Sequence, residues 1–401
     1  MSNIIYKIAR TKKDFEGLKN MIKKIFDQEV YELADDLFYR SPKKEDNIYF
    51  YAYDQLKEKY VGILCLLDTP VKYGDVILKT AEYGIAGTLA EYRGQKINNK
   101  LTEMFFEKCK ELNYNLAVIE GIPYFYRRYG FNYAVEMTNE KIDLFDLDLN
   151  NNNNLKLRKA ESKDIDFLIK SYKNTVDSYD LCKIKDRKII KAQLNNYLSD
   201  PVKKDYYIIE NLENKIGYLT MDIGDEIHIS DISNNLTFDQ YESLIKYFKD
   251  EGHKKITTDL KENNKFVKYL KSIGSTGGRW YSYQLKIIDE FKLLNKIKPI
   301  LEKRIKNTIY SNEELTLNYD NYKEMIQIKI NNGKINLQKL NRDELDSDLA
   351  FTPQGAVKLF FDEKQIEEIT DFLPDCYVKD KYKDIVKELF TNMKGHFYVN
   401  Y

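Results

Sequence analysis

The sequence predicts a mixed α/β (α+β) fold, antiparallel strands with helices packed on them, in three successive units. Three observations predict it. The stretch from Tyr83 to Gly130 reads as strand, polar turn, amphipathic helix and second strand. After the asparagine run 150–154 the same order of elements restarts. At 401 residues the chain is also too long for one ordinary core. The expected boundaries are 1–149, 150–287 and 288–401.

Composition narrows the function classes. Hydrophobic residues make up 43% and charged residues 32%, a globular balance. Lys+Arg and Asp+Glu are both 64, so no net field draws the chain to nucleic acid or to an anionic membrane. Cys65, Cys109, Cys182 and Cys376 are far apart and read as reduced thiols of a cytoplasmic protein. His228, His253 and His396 show no metal-site spacing, so no metal is expected. No run approaches the roughly 18 apolar residues of a membrane span. The N-terminus has no signal-peptide core.

The first unit opens with a strand, Ile5 to Ala9. A helix follows over Lys12 to Phe26, with Phe15, Leu18, Met21, Ile22 and Ile25 on one face. Asn47 to Tyr53 and Tyr60 to Leu67 form a hairpin. Val76 to Tyr83 leads into an apolar run, Tyr83 to Leu89, and a polar turn, Glu91 to Lys96. The helix that starts there carries Ile97, Leu101, Met104, Phe105 and Leu112 on one face. Leu116 to Glu120 is the next strand, and Tyr124 to Tyr129 is an aromatic-basic cluster. Tyr133 to Leu144 supplies the last strands of this unit. A turn that opens directly into a helix is an anion cradle, because unpaired amides and the positive end of the helix dipole point into it. Arg93 and Lys96 add positive charge.

The second unit repeats this plan. Leu155 to Lys159 is a strand and Asp164 to Val176 a helix. Asp205 to Ile209 and Ile216 to Asp222 form a hairpin, and Glu226 to Ile232 is a strand. Thr237 and Gln240 form a capping box opening a helix to Asp250. Lys255 to Asp259 closes the series. Its turn, Ser233-Asn234-Asn235-Leu236, has neither glycine nor arginine, so this copy reads as structural. In the third unit Ile288 to Ile305 is a helix with a possible kink at Pro299. Leu315 to Tyr319, Met325 to Ile330 and Lys334 to Leu340 are strands, the last two joined at Asn332-Gly333. Thr352-Pro353 starts a helix. Gln365 to Phe372 and Asp380 to Phe390 are helical, and the aromatic tail runs to Tyr401.

The stretch Tyr83 to Gly130 resembles motifs A and B of the GNAT superfamily of N-acetyltransferases. That family holds the acetyl-CoA pyrophosphate on a Q/R-x-x-G-x-G/A loop, matched here by Arg93, Gly94, Gln95, Lys96, Ile97 and Asn98. Lys96 and Asn98 depart from its small residues. The family's YxxxGF string is matched by Tyr126 to Phe131. The resemblance implies acetyl-CoA as co-substrate and no metal. Pantetheine would bind along Gly87, Thr88 and Leu89, and Tyr126 would act as general acid. The three-unit layout resembles the enhanced-intracellular-survival (Eis) acetyltransferases, with two GNAT-like copies and a sterol-carrier-protein-like domain. Leu389-Phe390 and terminal Tyr401 match that pattern. The likeness implies that the Tyr401 carboxylate is the general base, that the acceptor is a cationic amine and that the protein is a homo-oligomer. Glu120 is a second candidate base. Asp27 and Glu29 are candidates to receive a cationic acceptor. Three functions stay open: an N-acetyltransferase, a pseudoenzyme whose cradle Lys96 and Asn98 have spoiled, and a lipid carrier.

Overall fold

The structure is a computed structural model. It describes residues 3–150, 155–195, 198–199, 203, 205–224, 226–342, 346–361 and 364–397. Tyr401 and most of the asparagine run lie outside the described residues.

In chain order, β1 (Ile4–Ile8), α1 (Lys12–Ile25) and α2 (Gln28–Asp35) lead to β2 (Ile48–Asp54), β3 (Lys59–Asp68), β4 (Val71–Tyr73) and β5 (Val76–Leu78). Then come β6 (Thr80–Thr88), α3 (Ile97–Glu111), β7 (Leu116–Ile119) and β8 (Asn132–Asp143). The next elements are β9 (Leu155–Lys159), α4 (Ile165–Val176), β10 (Leu181–Lys183), α5 (Arg187–Leu194), β11 (Tyr206–Asn211), β12 (Asn214–Ile223) and β13 (Ile227–Ile232). They continue with α6 (Phe238–Asp250), β14 (Lys255–Thr258), α7 (Lys265–Ser272) and β15 (Thr276–Ile287). The last part holds α8 (Glu290–Ile305), β16 (Glu314–Asp320), β17 (Met325–Asn331), β18 (Lys334–Leu340) and β19 (Leu349–Ala350). It ends with α9 (Pro353–Phe361), α10 (Ile366–Phe372), β20 (Tyr377–Val378), α11 (Lys383–Leu389) and β21 (Gly395–His396).

Local chemistry sets these limits. Thr11 and Asp14 form a reciprocal capping box at α1. Asp27 caps α2 by accepting from the Val30 amide at 3.0 Å, so its carboxylate serves the helix. The β17–β18 hairpin turns at Asn332 and Gly333, with φ of 47° and 71°, the left-handed pair that a two-residue hairpin turn needs.

A twelve-stranded sheet runs β1-β2-β3-β6-β7-β15-β8-β14-β13-β12-β11-β9. Its two halves mirror each other. In each, antiparallel strands end in one parallel pair, β6 with β7 and β13 with β14, joined through a helix. The middle is exchanged. β8 follows β7 in sequence but pairs with β14, while β15 follows β14 but pairs with β7. The expectation that Tyr133 to Leu144 would complete the first unit with several strands is therefore replaced. It is one long strand, and the missing neighbour arrives from Thr276–Ile287. β8 and β15 also pair with each other over most of their length.

A second sheet, β21-β10-β4-β5, ties the tail to both halves. The five-stranded sheet β18-β17-β16-β19-β20 packs on α8 and α9. Its core residues Leu317, Tyr319, Phe351 and Phe360 are continuous with Val71, Leu116 and Leu285 of the central sheet. No described helix is long and apolar enough to cross a membrane.

Candidate active site

β6 and β7 pair only at Thr80–Leu116, Ala81–Ala117 and Glu82–Val118. Beyond Glu82 the two strands part. β6 stays on β3 through Gly87 and Thr88, with a register shift between Ile63 and Cys65. Ile85 takes a φ of 39° opposite that shift. The edge of Gly87-Thr88 that faces the gap is thus free of a strand partner. Thr88 Oγ1 is buried there without a hydrogen-bond partner, a cost unless a ligand or water meets it. A Cβ on Gly87 would lie 2.7 Å from the Phe26 ring. Leu89 is buried in the core of this half.

The chain then makes a short 3-10 turn, Ala90–Tyr92, and reaches Arg93 to Lys96, all four exposed. Gly94 has a φ of 82°, and a Cβ there would meet nothing within 4 Å. Lys96 occupies the N-cap of α3 in the left-handed region, φ 59° and ψ 20°, and supplies no side-chain cap. No acidic residue stands in the first turn of α3. The start of α3 therefore points uncapped amides and the positive end of its dipole into an open turn. Ile97 is buried and anchors the helix.

The corresponding turn of the other half is closed. The Ser233 hydroxyl accepts from the Tyr218 amide at 2.8 Å, and Asn234 Oδ1 accepts from the Lys265 amide at 2.6 Å. The Asn235 amide donates to the Ile216 carbonyl at 3.2 Å. α6 is capped reciprocally by Thr237 and Gln240. The Thr237 and Gln240 amides there already have side-chain partners.

Asn98 turns away from the open turn. Its Nδ2 donates to the Tyr129 hydroxyl at 3.1 Å, and its Oδ1 accepts from the Tyr83 hydroxyl at 3.5 Å. The Tyr129 hydroxyl donates to Asn99 at 2.9 Å. Tyr126 lies on the short 3-10 helix Phe125–Tyr129, half-buried. Its ring meets Tyr83 edge-on at 5.5 Å and Phe131 at 6.2 Å. The same ring lies where a Cβ on Gly121 would be, so this position admits only glycine. Burial pushes the Tyr126 hydroxyl above its ordinary pKa, so it stays protonated at neutral pH.

Sequence reasoning missed the floor of the site, which β15 and β10 supply. The Tyr281 hydroxyl donates to the Gly121 carbonyl, and the Gln284 amide reaches the same oxygen at 3.3 Å. The Tyr283 hydroxyl donates to Glu120 at 3.4 Å. Lys183, fully buried, pairs with Glu82 at 2.9 Å and lies over the Tyr283 ring at 4.8 Å. Burial raises the Glu120 pKa, while Lys183 opposes the shift. Glu120 borders a cavity of about 230 Å³ shared with Glu136, Asp259, His228 and Tyr283. His396 and Phe397, at the end of the described residues, line it too. The crowding of aromatics in Trp280-Tyr281-Ser282-Tyr283 was the one signal that could have found the floor.

Residues 8–134 match the model of the acetyltransferase (GNAT) domain. The GNAT match thus contains the splayed strands, the turn and Tyr126. Solved structures extend the likeness of fold to the whole chain. A probable N-acyltransferase from Enterococcus faecalis V583 superposes with a TM-score of 0.77 at 13% identity, covering 99% of this chain and 100% of that one. A GCN5-related N-acetyltransferase from Anabaena variabilis gives 0.74 at 14%, covering 98% and 99%. Eis1 from Mycobacterium abscessus gives 0.67 at 11%, covering 99% and 100%. No curated protein sequence matches the chain.

Proposed function

We propose that this chain is an N-acetyltransferase that moves the acetyl group of acetyl-CoA to an amine of a small molecule. The observation that carries the reading is the uncapped start of α3, at the end of a strand that has left its parallel neighbour. The orphaned Thr88 hydroxyl on that strand fits the same ligand. The pyrophosphate would lie on the amides of Arg93 to Asn98, with the Arg93 and Lys96 side chains as charge partners. The pantetheine arm would follow Gly87, Thr88 and Leu89.

The thioester supplies an activated acetyl group. The chain's own residues do the rest. Tyr126 would give a proton to the departing sulfur, a role suited to a hydroxyl that stays protonated at neutral pH. Glu120 would take the ammonium proton of the acceptor, directly or through water. The Tyr401 carboxylate is the other candidate base, four residues beyond Phe397, which lines the cavity beside Glu120. An amine is a cation at neutral pH, and Glu120, Glu136 and Asp259 outnumber Lys185 among the described residues of one cavity, which suits a cation. We further read the protein as a cytoplasmic homo-oligomer without a nucleic-acid or membrane partner.

The test is release of free CoA from acetyl-CoA in the presence of a panel of primary amines. Amine-dependent release supports the transferase. Acetyl-CoA binding without turnover of any amine would make the chain a binding protein.

A further inference from the structure

A second cavity, of about 400 Å³, adjoins the first. The two share Glu136 and Trp280 on their walls. Together they fall in the range of about 300–1,000 Å³ usual for small-molecule sites. Their charges are opposite in sense. Among the described residues, the first cavity presents Glu120, Glu136 and Asp259 against the one ammonium of Lys185. Among the described residues, the second presents Arg127, Arg279, Lys358 and Lys364 against the carboxylate of Glu136.

The cations of the second cavity come from separate elements. Arg127 leaves the 3-10 helix that carries Tyr126 and donates to the neutral Gln354 amide at 3.3 Å. Arg279 lies on β15 and pairs with Glu136 at 2.9 Å. Lys358 is on α9, and Lys364 precedes α10 and reaches Glu368 at 3.6 Å with both side chains about half exposed. A pair this long and this exposed is weak. Two aromatic surfaces are left open among these cations. Trp280, at the junction, is 55% exposed, and Phe372 is 74% exposed. Exposed aromatic faces between like charges are what an anionic ligand with a flat or apolar body would cover.

We infer that the acceptor is zwitterionic: an amine joined through an apolar or aromatic body to a carboxylate, as in a short acidic peptide. The inference rests on the transferase reading for the fate of the amine. The amine sits among the carboxylates beside Glu120. The body crosses Trp280. The anionic end lies between Arg127, Arg279, Lys358 and Lys364. A polycation lacking an anionic group would meet repulsion in the second cavity.

Trp280 is the single tryptophan of the chain, so its fluorescence reports this junction without interference and without turnover. The probes are the tripeptide Gly-Phe-Asp and its neutral-ended counterpart Gly-Phe-Asn-amide, titrated into the full-length protein. The acidic peptide should perturb Trp280 emission and bind about tenfold more tightly or better, a difference expected of one or two well-placed charge pairs. In the Lys358→Glu/Lys364→Glu double variant that preference should vanish or reverse. Far-ultraviolet circular dichroism checks that the variant folds. If it does not, neutralisation at Lys364 alone (Lys364→Gln), which is exposed, should reduce the preference. Equal affinity for the two peptides, or no change in Trp280 emission with either, overturns the inference. Acetyl transfer to simple amines in that event would leave the transferase reading standing. A tight, selective fluorescence response without transfer would do the reverse.

Discussion

Asn98 on α3 and Tyr129 on the far side of the splay are joined by a hydrogen bond of 3.1 Å from amide to hydroxyl. The residue that departs from the family's small position is thus used to bridge the two walls of the site. Its side chain does not fill the turn. Asn98→Ala should therefore cost about 1 kcal/mol of stability, read by urea denaturation. Acetyl-CoA affinity should change little, because the backbone amide remains. A large loss of affinity with unchanged stability would mean that the side chain contacts the ligand.

Lys96 is the second departure. Its left-handed backbone is one that glycine adopts without a Cβ clash. Lys96→Gly should leave stability unchanged or raise it by up to about 1 kcal/mol, strain relief being partly offset by unfolded-chain entropy. The side chain is exposed, so it does not crowd the turn. Affinity for acetyl-CoA should fall by about tenfold or less, with a weaker salt dependence, as expected when one exposed cation is lost. Tighter binding in the variant would show that the ammonium obstructs the site.

Tyr126→Phe keeps the ring contacts with Tyr83 and Phe131 and removes only the hydroxyl. Turnover should fall by about two to four orders of magnitude, with acetyl-CoA affinity and melting temperature nearly unchanged. Burial raises the Tyr126 pKa above 10.0. The protonated form is the active one, so loss of activity from this group belongs above that pH, and neutral assays should show no alkaline limb from it. Unchanged turnover in the variant removes Tyr126 from the chemistry.

Two carboxylates compete for the role of base, and they are separable. Burial raises the Glu120 pKa above 4.5, and its ionised form is the one that accepts a proton. Activity carried by Glu120 is therefore lost as pH falls through that raised value. Glu120→Gln should abolish this acid limb along with most of the rate. If the base is instead the Tyr401 carboxylate, a C-terminal tag converts it to an amide and abolishes activity, an N-terminal tag does not, and Glu120→Gln keeps its acid limb. The kcat profile from pH 5 to 8 for the three proteins decides between them.

Much of the fold was legible because its signals are local. The capping box at Thr237 and Gln240 and the turn at Asn332-Gly333 need only neighbouring residues. The exchange of β8 and β15 was not legible. Which strand fills the place beside β7 is settled by pairing between distant segments, and Gly277-Gly278 interrupts the alternation that would mark β15. The site divides the same way. The turn at Arg93 to Lys96 is a local object and could be read. The side-chain direction of Asn98 depends on Tyr83 and Tyr129 across the gap. The floor could not be read, because Lys183 meets Glu82 across 101 positions and Tyr283 meets Glu120 across 163.

The central claim is that one half of the central sheet holds the co-substrate and the other does not. Its physical basis is the contrast between the uncapped start of α3 and the reciprocally capped start of α6. Calorimetric titration of the full-length protein with acetyl-CoA tests it most directly. The expected result is one site per chain, lost on reversing the charge of the open turn with Arg93→Glu. Two equivalent sites per chain, or no binding at all, would contradict it.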